Sequence, residues 1–107
     1  MNSQIYSTSE IIDANRSAGA HYFDPDSMRF FGSKVSAEVY PGRSGFCYFV
    51  TSERRPHSDN PRRYSVRCWD PQNPAYVETV GDFQQYATSA AAHKAARAMA
   101  EWSRSQA

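Results

Sequence analysis

Residues 34–80 read KVSAEVYPGRSGFCYFVTSERRPHSDNPRRYSVRCWDPQNPAYVETV and carry the clearest structural signal in the chain. It contains four short segments in which apolar and polar side chains alternate, which is the period of a β-strand. The segments are 34–40, 46–53, 62–70 and 75–80. Turn-forming sequence rich in proline and glycine, or a polar connection, separates each from the next. The pattern predicts a four-stranded antiparallel meander sheet.

The alternation sorts the side chains into two faces if the strands pair symmetrically about their turns. The predicted register places Cys47 opposite Val39 and Cys68, and Cys68 opposite Val77. The first face is then apolar and suits a core: Val35, Ala37, Val39, Cys47, Phe49, Thr51, Tyr64, Val66, Cys68, Val77 and Thr79. The second face is aromatic: Tyr40, Phe46, Tyr48, Val50, Arg67, Trp69 and Tyr76, with Glu38 and Glu78 among them. A slip of one residue would invert a strand and bury Arg67.

Helical elements are predicted on either side of this stretch. A capping box that begins at Ser7 starts a helix of about three turns, and Gly19 ends it. A helical turn over residues 24–32 follows, with Met28 and Phe31 directed inward. The chain therefore enters the sheet from a short helix and a turn.

The last helix is predicted to begin at Thr88 or Ser89 and to be amphipathic. Its inward stripe is expected to consist of Ala92, Ala95, Ala96, Met99 and Trp102. The predicted fold class is therefore α+β, with a four-stranded antiparallel meander sheet and a C-terminal helix. At 107 residues, the chain is expected to form a single domain over residues 1–107.

Charge and composition narrow the classes of function. The net charge of +1 argues against binding held mainly by phosphate contacts. No apolar run reaches the ~20 residues that a membrane-spanning helix needs, and residues 1–9 lack the pattern of a signal peptide. The sequence therefore predicts a cytoplasmic protein without a membrane partner.

Candidate reaction chemistry is sparse in this sequence. Cys47 and Cys68 are the two cysteines; a disulfide between them is conceivable in the predicted register, but a cytosolic setting favours free thiols. Cys47 is expected on the buried face, where a nucleophile is of little use. The histidines and acidic residues match no catalytic motif and no metal-ligand spacing. The sequence predicts a protein that is not an enzyme and has no metal or cofactor.

Two groups of residues are candidates for binding a partner. If the aromatic face is open, its anchors are expected to be Tyr48, Arg67, Trp69 and Tyr76, because aromatic residues around an arginine resemble a protein hot spot or a base-stacking platform. The alternative is that the N-terminal segment covers this face. The second group is Arg54, Arg55, Arg62 and Arg63, expected either to steer a charged partner or to form a solvated loop.

Four segments carry a resemblance to a known group of proteins. They are SMRFFGS at 27–33, YFVTSE at 48–53, RRYSVR at 62–67 and FQQYA at 83–87. In this order they resemble small, uncharacterised accessory proteins of tailed phages and prophages. The resemblance implies a viral accessory protein made in a bacterial host cell, and it carries no catalytic residues that could be transferred.

Size and this genomic setting suggest, by analogy, a protein that acts stoichiometrically on a host defence. The expected function is inhibition of a host protein or ribonucleoprotein complex by occlusion, with a CRISPR effector as the expected target of such an anti-CRISPR protein. The alternative is a nucleic-acid-binding accessory protein that uses the arginine loop and the aromatic face. A virion-assembly component is a third possibility, and the sequence leaves the oligomeric state open.

Overall fold

The computed structural model describes residues 6–30, 32–54 and 59–106. Four strands form one antiparallel sheet in the order β1-β2-β3-β4, and helices precede and follow them. The elements are α1 (Thr8–Ser17), α2 (Pro25–Phe30), β1 (Lys34–Pro41), a 3-10 turn (Arg43–Gly45), β2 (Cys47–Glu53), β3 (Arg63–Trp69), β4 (Val77–Val80) and α3 (Ser89–Ser105). The predicted α+β class and the meander are confirmed.

The helix boundaries follow from local hydrogen bonding. At the start of α1, the Ser7 hydroxyl accepts the Glu10 N–H at 3.1 Å, and the Glu10 carboxylate accepts the Ser7 N–H at 3.0 Å. This is the predicted capping box. Beyond the C-terminal end, Gly19 has a φ of 84°, which favours glycine. The Thr88 hydroxyl caps α3 by accepting the Ala91 N–H at 3.1 Å.

The predicted register of β3 is wrong by one residue. Cys47 lies opposite Trp69 rather than Cys68, and Trp69 lies opposite Val77. The shift inverts β3 relative to its neighbours, so that Arg67 and Trp69 share a face with Cys47. The helix α3 packs on the opposite face, against Val50 and Val66. The physical reason is burial: the observed register encloses the Trp69 side chain, which is 1% exposed, instead of the much smaller Cys68.

The pairing of β1 also differs from the prediction, but the faces of β1 and β2 are unchanged. Val39 lies opposite Phe49 rather than Cys47. The ladder is irregular between Val35 and Val39, where β1 carries two more residues than β2. Because two residues complete one strand period, Val35 and Val39 still point to the same side of the sheet.

Both faces of the sheet are covered, so the molecule has three layers. The side chains of Ile11, Phe23, Cys47, Phe49 and Trp69 form a core between the sheet and the N-terminal segment. A second core lies under α3 and contains Val50, Val66, Ala92 and Ala96, with Tyr40, Tyr48 and Tyr64 packed against it. The sequence left open whether the aromatic face is exposed or covered by the N-terminal segment. The structure covers it from both sides: the N-terminal segment packs on Trp69, and α3 packs on Tyr40, Tyr48 and Val50.

The inward stripe of α3 differs from the predicted one at its C-terminal end. Its fully buried members are Ala92, Ala96, Ala100 and Ser103. Trp102 was expected inward but is 65% exposed. The Ser103 hydroxyl accepts the Arg43 N–H at 3.1 Å, so a small polar residue takes the buried position. The one-residue step from 103 to 102 rotates Trp102 about 100° away from the sheet.

The two cysteines lie on opposite faces because they occupy neighbouring levels of the β2–β3 ladder. Both are free thiols. A disulfide between them would require one strand to rotate, so the bridge that the predicted register allowed is ruled out by the observed one.

The N-terminal layer is also held by polar contacts. Asn15 Nδ2 donates to the Pro74 carbonyl at 2.9 Å, and Trp69 Nε1 donates to the same oxygen at 3.1 Å. Met28 packs on the edge of this core as predicted; Phe31 lies outside the described residues. These contacts fix α1 and the following segment over β3.

Candidate functional site

A half-open cleft of about 410 Å³ lies on the N-terminal side of the sheet. It runs between the segment around α2 and the loop that joins β4 to α3, and β3 forms its floor. The lining residues are His21, Tyr22, Ser27, Met28, Ser33, Arg67 and Phe83. We call this feature the Arg67 cleft. Its volume is within the range of binding pockets in proteins.

The floor of the Arg67 cleft is a buried ion pair. Arg67 Nη2 lies 3.2 Å from Glu53 Oε2, and the side chains are 8% and 2% exposed. Arg67 Nε donates to the Thr51 hydroxyl at 2.8 Å, and Nη1 donates to the Thr79 hydroxyl. Several donors of the guanidinium are thus directed to neighbours within the sheet, which fixes its plane.

Glu53 is held in the same network from two strands. The Thr51 hydroxyl donates to Glu53 Oε2 at 2.6 Å, and the Ser65 hydroxyl donates to Oε1 at 2.9 Å. A buried ion pair is costly unless its remaining hydrogen-bonding capacity is satisfied. The network supplies these bonds, so the ion pair is a rigid base for the cleft.

Two aromatic rings approach the Arg67 guanidinium. Its central carbon lies 5.6 Å from the centre of the Tyr22 ring and 5.5 Å from that of Phe83. Such distances are typical of cation–π contacts. Burial raises the pKa of Tyr22 above its usual value of 10.0, although Arg67 opposes the effect. The tyrosine therefore stays neutral, and the cleft presents aromatic surface above a charged floor.

Arg62 and Arg63 hold the two walls of the cleft. Arg62 Nη1 donates to the Gly32 carbonyl at 2.7 Å and to Ser52, which ties the segment after α2 to β2. Arg63 donates to the backbone carbonyls of Gln84 and Gln85 at 2.7 and 3.0 Å. The sequence left open whether these arginines steer a partner or form a solvated loop; in the structure both donate to backbone carbonyls of their own chain.

Backbone conformation at both walls is restricted. Gly32 has a φ of 54°, and a Cβ atom there would lie 2.6 Å from the Arg54 carbonyl oxygen. Gln84 has a φ of 58°, which is uncommon for a residue with a side chain. The Gln84 N–H donates to the Ser65 hydroxyl at 2.7 Å, and its side chain donates to the Glu53 carbonyl at 3.2 Å. These bonds hold the strained loop, and with it Phe83, over the floor.

The predicted anchors do not form one surface. Arg67 and Trp69 are buried beneath the N-terminal segment, whereas Tyr48 is half-buried under α3. Tyr76 precedes β4 and is 65% exposed. Arg54 is exposed after β2 and lines a separate cavity of about 420 Å³ with Arg63 and Gln84.

Arg55 lies outside the described residues. The partner-binding role expected for it and for the other arginines remains a prediction. The structure brings Arg67 from the predicted set into the cleft, with Arg62 and Arg63 behind its walls. It separates Tyr48 and Tyr76 from that site. The shift of β3 by one residue is the cause, because it moved Arg67 to the other face.

The thiols are poorly suited to chemistry. Burial raises the pKa of Cys47 and of Cys68 to about 11 from the usual 9.0, so both stay protonated at neutral pH. Among residues 6–30, 32–54 and 59–106, no group of three or more histidine, cysteine, aspartate and glutamate side chains could hold a metal ion. Within the same ranges, no helix is long and apolar enough to cross a membrane.

Sequence reasoning missed Glu53, Tyr22 and Phe83 as parts of the site. A signal was nevertheless present, because each of the four segments behind the resemblance contributes to the cleft or its floor. Met28 comes from the first segment, Glu53 from the second, Arg67 from the third and Phe83 from the fourth. Their spacing in the chain does not reveal that they meet.

Comparison with known proteins assigns the chain to a family but not to an activity. The chain belongs to a family of unknown function (DUF7447), whose model matches residues 7–97. The match includes every residue that lines the Arg67 cleft. Comparisons with curated proteins and with solved structures gave no match.

Proposed function

We propose that this protein is a small phage-encoded binding protein that inhibits a host defence complex by stoichiometric occlusion. The proposed target is a bacterial protein or ribonucleoprotein, such as a CRISPR effector, and the proposed contact is the Arg67 cleft with its rim. The phage setting comes from the sequence resemblance, and the target from analogy with accessory proteins of this size.

The observation that carries the proposal is the construction of the cleft. Its floor is a rigid buried network, and Phe83 stands at its rim with 48% of its surface exposed. An aromatic side chain held in place beside a desolvated charge has the character of an interface hot spot. A preorganised contact of this kind loses little conformational entropy on binding.

The arrangement of arginines supports a protein partner over nucleic acid. Arg62 and Arg63 donate to carbonyl groups of their own chain, and Arg67 is paired with Glu53. These groups are therefore less available to neutralise phosphates, which dominate affinity for nucleic acid. The nucleic-acid alternative would have to rely on the other basic residues of the chain.

An interference assay tests the proposal. The protein is expressed in a bacterium whose CRISPR system targets a plasmid, and the efficiency of plasmid transformation is measured for several CRISPR types. Wild-type protein is expected to restore transformation for at least one type, and the variant Phe83→Ala is expected to lose this effect. Tyr76→Ala is the matched control, because Tyr76 is also an exposed aromatic residue but does not line the Arg67 cleft.

Two outcomes would count against the proposal. Failure of wild-type protein to protect any targeted plasmid or phage would argue against defence inhibition. Equal activity of Phe83→Ala and wild type would remove the cleft as the contact. A gel-shift assay with oligonucleotides at low and high salt tests the alternative, because binding through phosphates would weaken steeply as salt rises.

A further inference from the structure

We propose that the outward side of α3 is a self-association surface, on which a second copy of this chain packs its own α3 in the antiparallel direction. This inference is independent of the Arg67 cleft, which lies on the opposite side of the sheet. It rests on one exposed tryptophan, on the small residues that make room for it, and on the charges beside them.

Trp102 is the anchor of the proposed surface. It is 65% exposed, although a side chain of its size is normally well buried. Ala98 and Ala91 are exposed on the same side of the helix. Ala95 lies between them at the border of this side and is half-buried, because it also packs against the core under α3. With 3.6 residues per turn, these four residues lie within an arc of about 60°, centred roughly 120° from the buried stripe. They form a second apolar side of α3.

The spacing of this second side suits a helix partner. Its residues 91, 95, 98 and 102 follow steps of four, three and four, which is the seam pattern of a two-helix coiled coil. In an antiparallel pair, Trp102 of one copy lies at the level of Ala91 of the other, and Ala95 at the level of Ala98. At each end of the antiparallel pair, a Trp102 side chain therefore packs against an alanine. A parallel pair would instead place the two Trp102 side chains together.

Charges next to the seam favour the same orientation. Lys94 and Glu101 are exposed, lie seven residues apart and flank the seam on one side. In the antiparallel pair, Lys94 of one copy and Glu101 of the other are about 3 Å apart along the axis, within reach of their long side chains. The two-fold symmetry creates this ion pair twice. Complementary flanking charges set the orientation of helix pairs.

The other cations of α3 are committed within the chain. Arg97 lies over the Tyr40 ring, with 5.4 Å between its central carbon and the ring centre. Arg104 donates to the Pro41 carbonyl. Among the described residues, in contrast, Lys94 and Glu101 form no ion pair. Lys94 and Glu101 are therefore the two charged residues of α3 that a second copy would complement.

Sedimentation velocity with charge-reversed variants tests the inference. An interface of this length is small, so wild type is expected to dimerise in roughly the micromolar range and above. Lys94→Glu and Glu101→Lys should each weaken self-association by about tenfold or more, since each creates two like-charge contacts. The double variant Lys94→Glu/Glu101→Lys should restore it.

The most specific arm is a mixture of the two single variants. Lys94→Glu carries two acidic residues beside the seam and Glu101→Lys carries two basic ones, so the mixture should form a heterodimer that neither variant forms alone. Trp102→Ala should abolish both kinds of dimer. Asp13→Lys, an exposed reversal on α1, is the control and should dimerise like wild type.

The inference is overturned by any of three results. These are a wild-type monomer up to about 500 µM, a dimer that tolerates the single reversals, and single reversals that neither the double variant nor the mixture repairs. Circular dichroism of each variant checks that the fold is retained. Because the substituted side chains are exposed, we expect all variants to fold.

Discussion

Arg67 is ion-paired with Glu53 along one face of the sheet, although the two residues are far apart in the strand ladder. Glu53 lies opposite Arg63, and Arg67 is four residues further along β3. The side chains meet above Thr51 and Ser65, with 3.2 Å between Nη2 and Oε2. This pair fixes the floor of the cleft, on the face of β3 that also carries Trp69.

The first prediction concerns the energetic coupling of this pair. Arg67→Met should lower the free energy of unfolding by about 3–5 kcal/mol, because it leaves the buried Glu53 carboxylate without its cation. Glu53→Gln should also lower the free energy of unfolding, because it leaves the buried Arg67 guanidinium without its carboxylate partner. In urea unfolding, the double variant Arg67→Met/Glu53→Gln should lose clearly less unfolding free energy than the two single variants lose in total. Additive losses within about 0.5 kcal/mol would contradict the coupling.

The second prediction separates bracing from electrostatic steering. Arg62→Ala should lower the free energy of unfolding by roughly 1.5–3 kcal/mol, since it removes charge-assisted hydrogen bonds to Gly32 and Ser52. Arg29→Ala is the control: its contact with Asp26 is exposed and is worth little. Thermal and urea denaturation measure both. Equal stability of the two variants would show that Arg62 is not a brace.

The third prediction concerns the attachment of α3 to β1. His93 Nδ1 lies 2.8 Å from the Tyr40 hydroxyl, and Nε2 lies 3.3 Å from the Ser36 hydroxyl. His93→Ala should therefore cost about 1–2 kcal/mol of unfolding free energy. Asp13→Ala, at an exposed position of α1 outside the proposed self-association surface, should change stability by less than about 0.5 kcal/mol. Hydrogen exchange should show faster opening of α3 in the His93 variant alone.

The fourth prediction is a loss of stability at alkaline pH. Burial raises the pKa of Cys47 and of Cys68 to about 11, above the usual 9.0. The unfolded thiols therefore lose their protons first, so this stabilisation is complete below pH 9.0 and declines as the pH rises toward about 11. The free energy of unfolding should fall over this window.

Cys47→Ala provides the comparison for this pH effect. It removes one thiol whose pKa differs between the folded and unfolded states, so its stability should fall less steeply with pH than that of wild type. Urea unfolding at several pH values between about 8 and about 10 measures the slopes. Identical slopes for the two proteins would refute the proposed contribution of Cys47.

Local sequence determined the elements of this fold. Ser7 and Glu10 define the start of α1, Thr88 defines the start of α3, and alternation defines the four strands. These signals depend on neighbours within a few residues, and such interactions can be recognised without knowing the rest of the fold. It was also predictable which side chains of β1, β2 and β4 share a face of the sheet, because the apolar residues of these strands alternate clearly.

The orientation of β3, and with it the candidate site, depends on contacts between residues that are distant in the chain. On β3, both faces of the strand carry large or apolar side chains. Tyr64, Val66 and Cys68 lie on one face, and Arg67 and Trp69 lie on the other. The alternation therefore does not choose between them. The choice depended on α1 enclosing Trp69 and on Glu53 meeting Arg67, and both contacts join residues that are distant in the chain. A slip of one residue changes every such contact of β3 at once. The register of β3 could therefore not be predicted without the tertiary contacts.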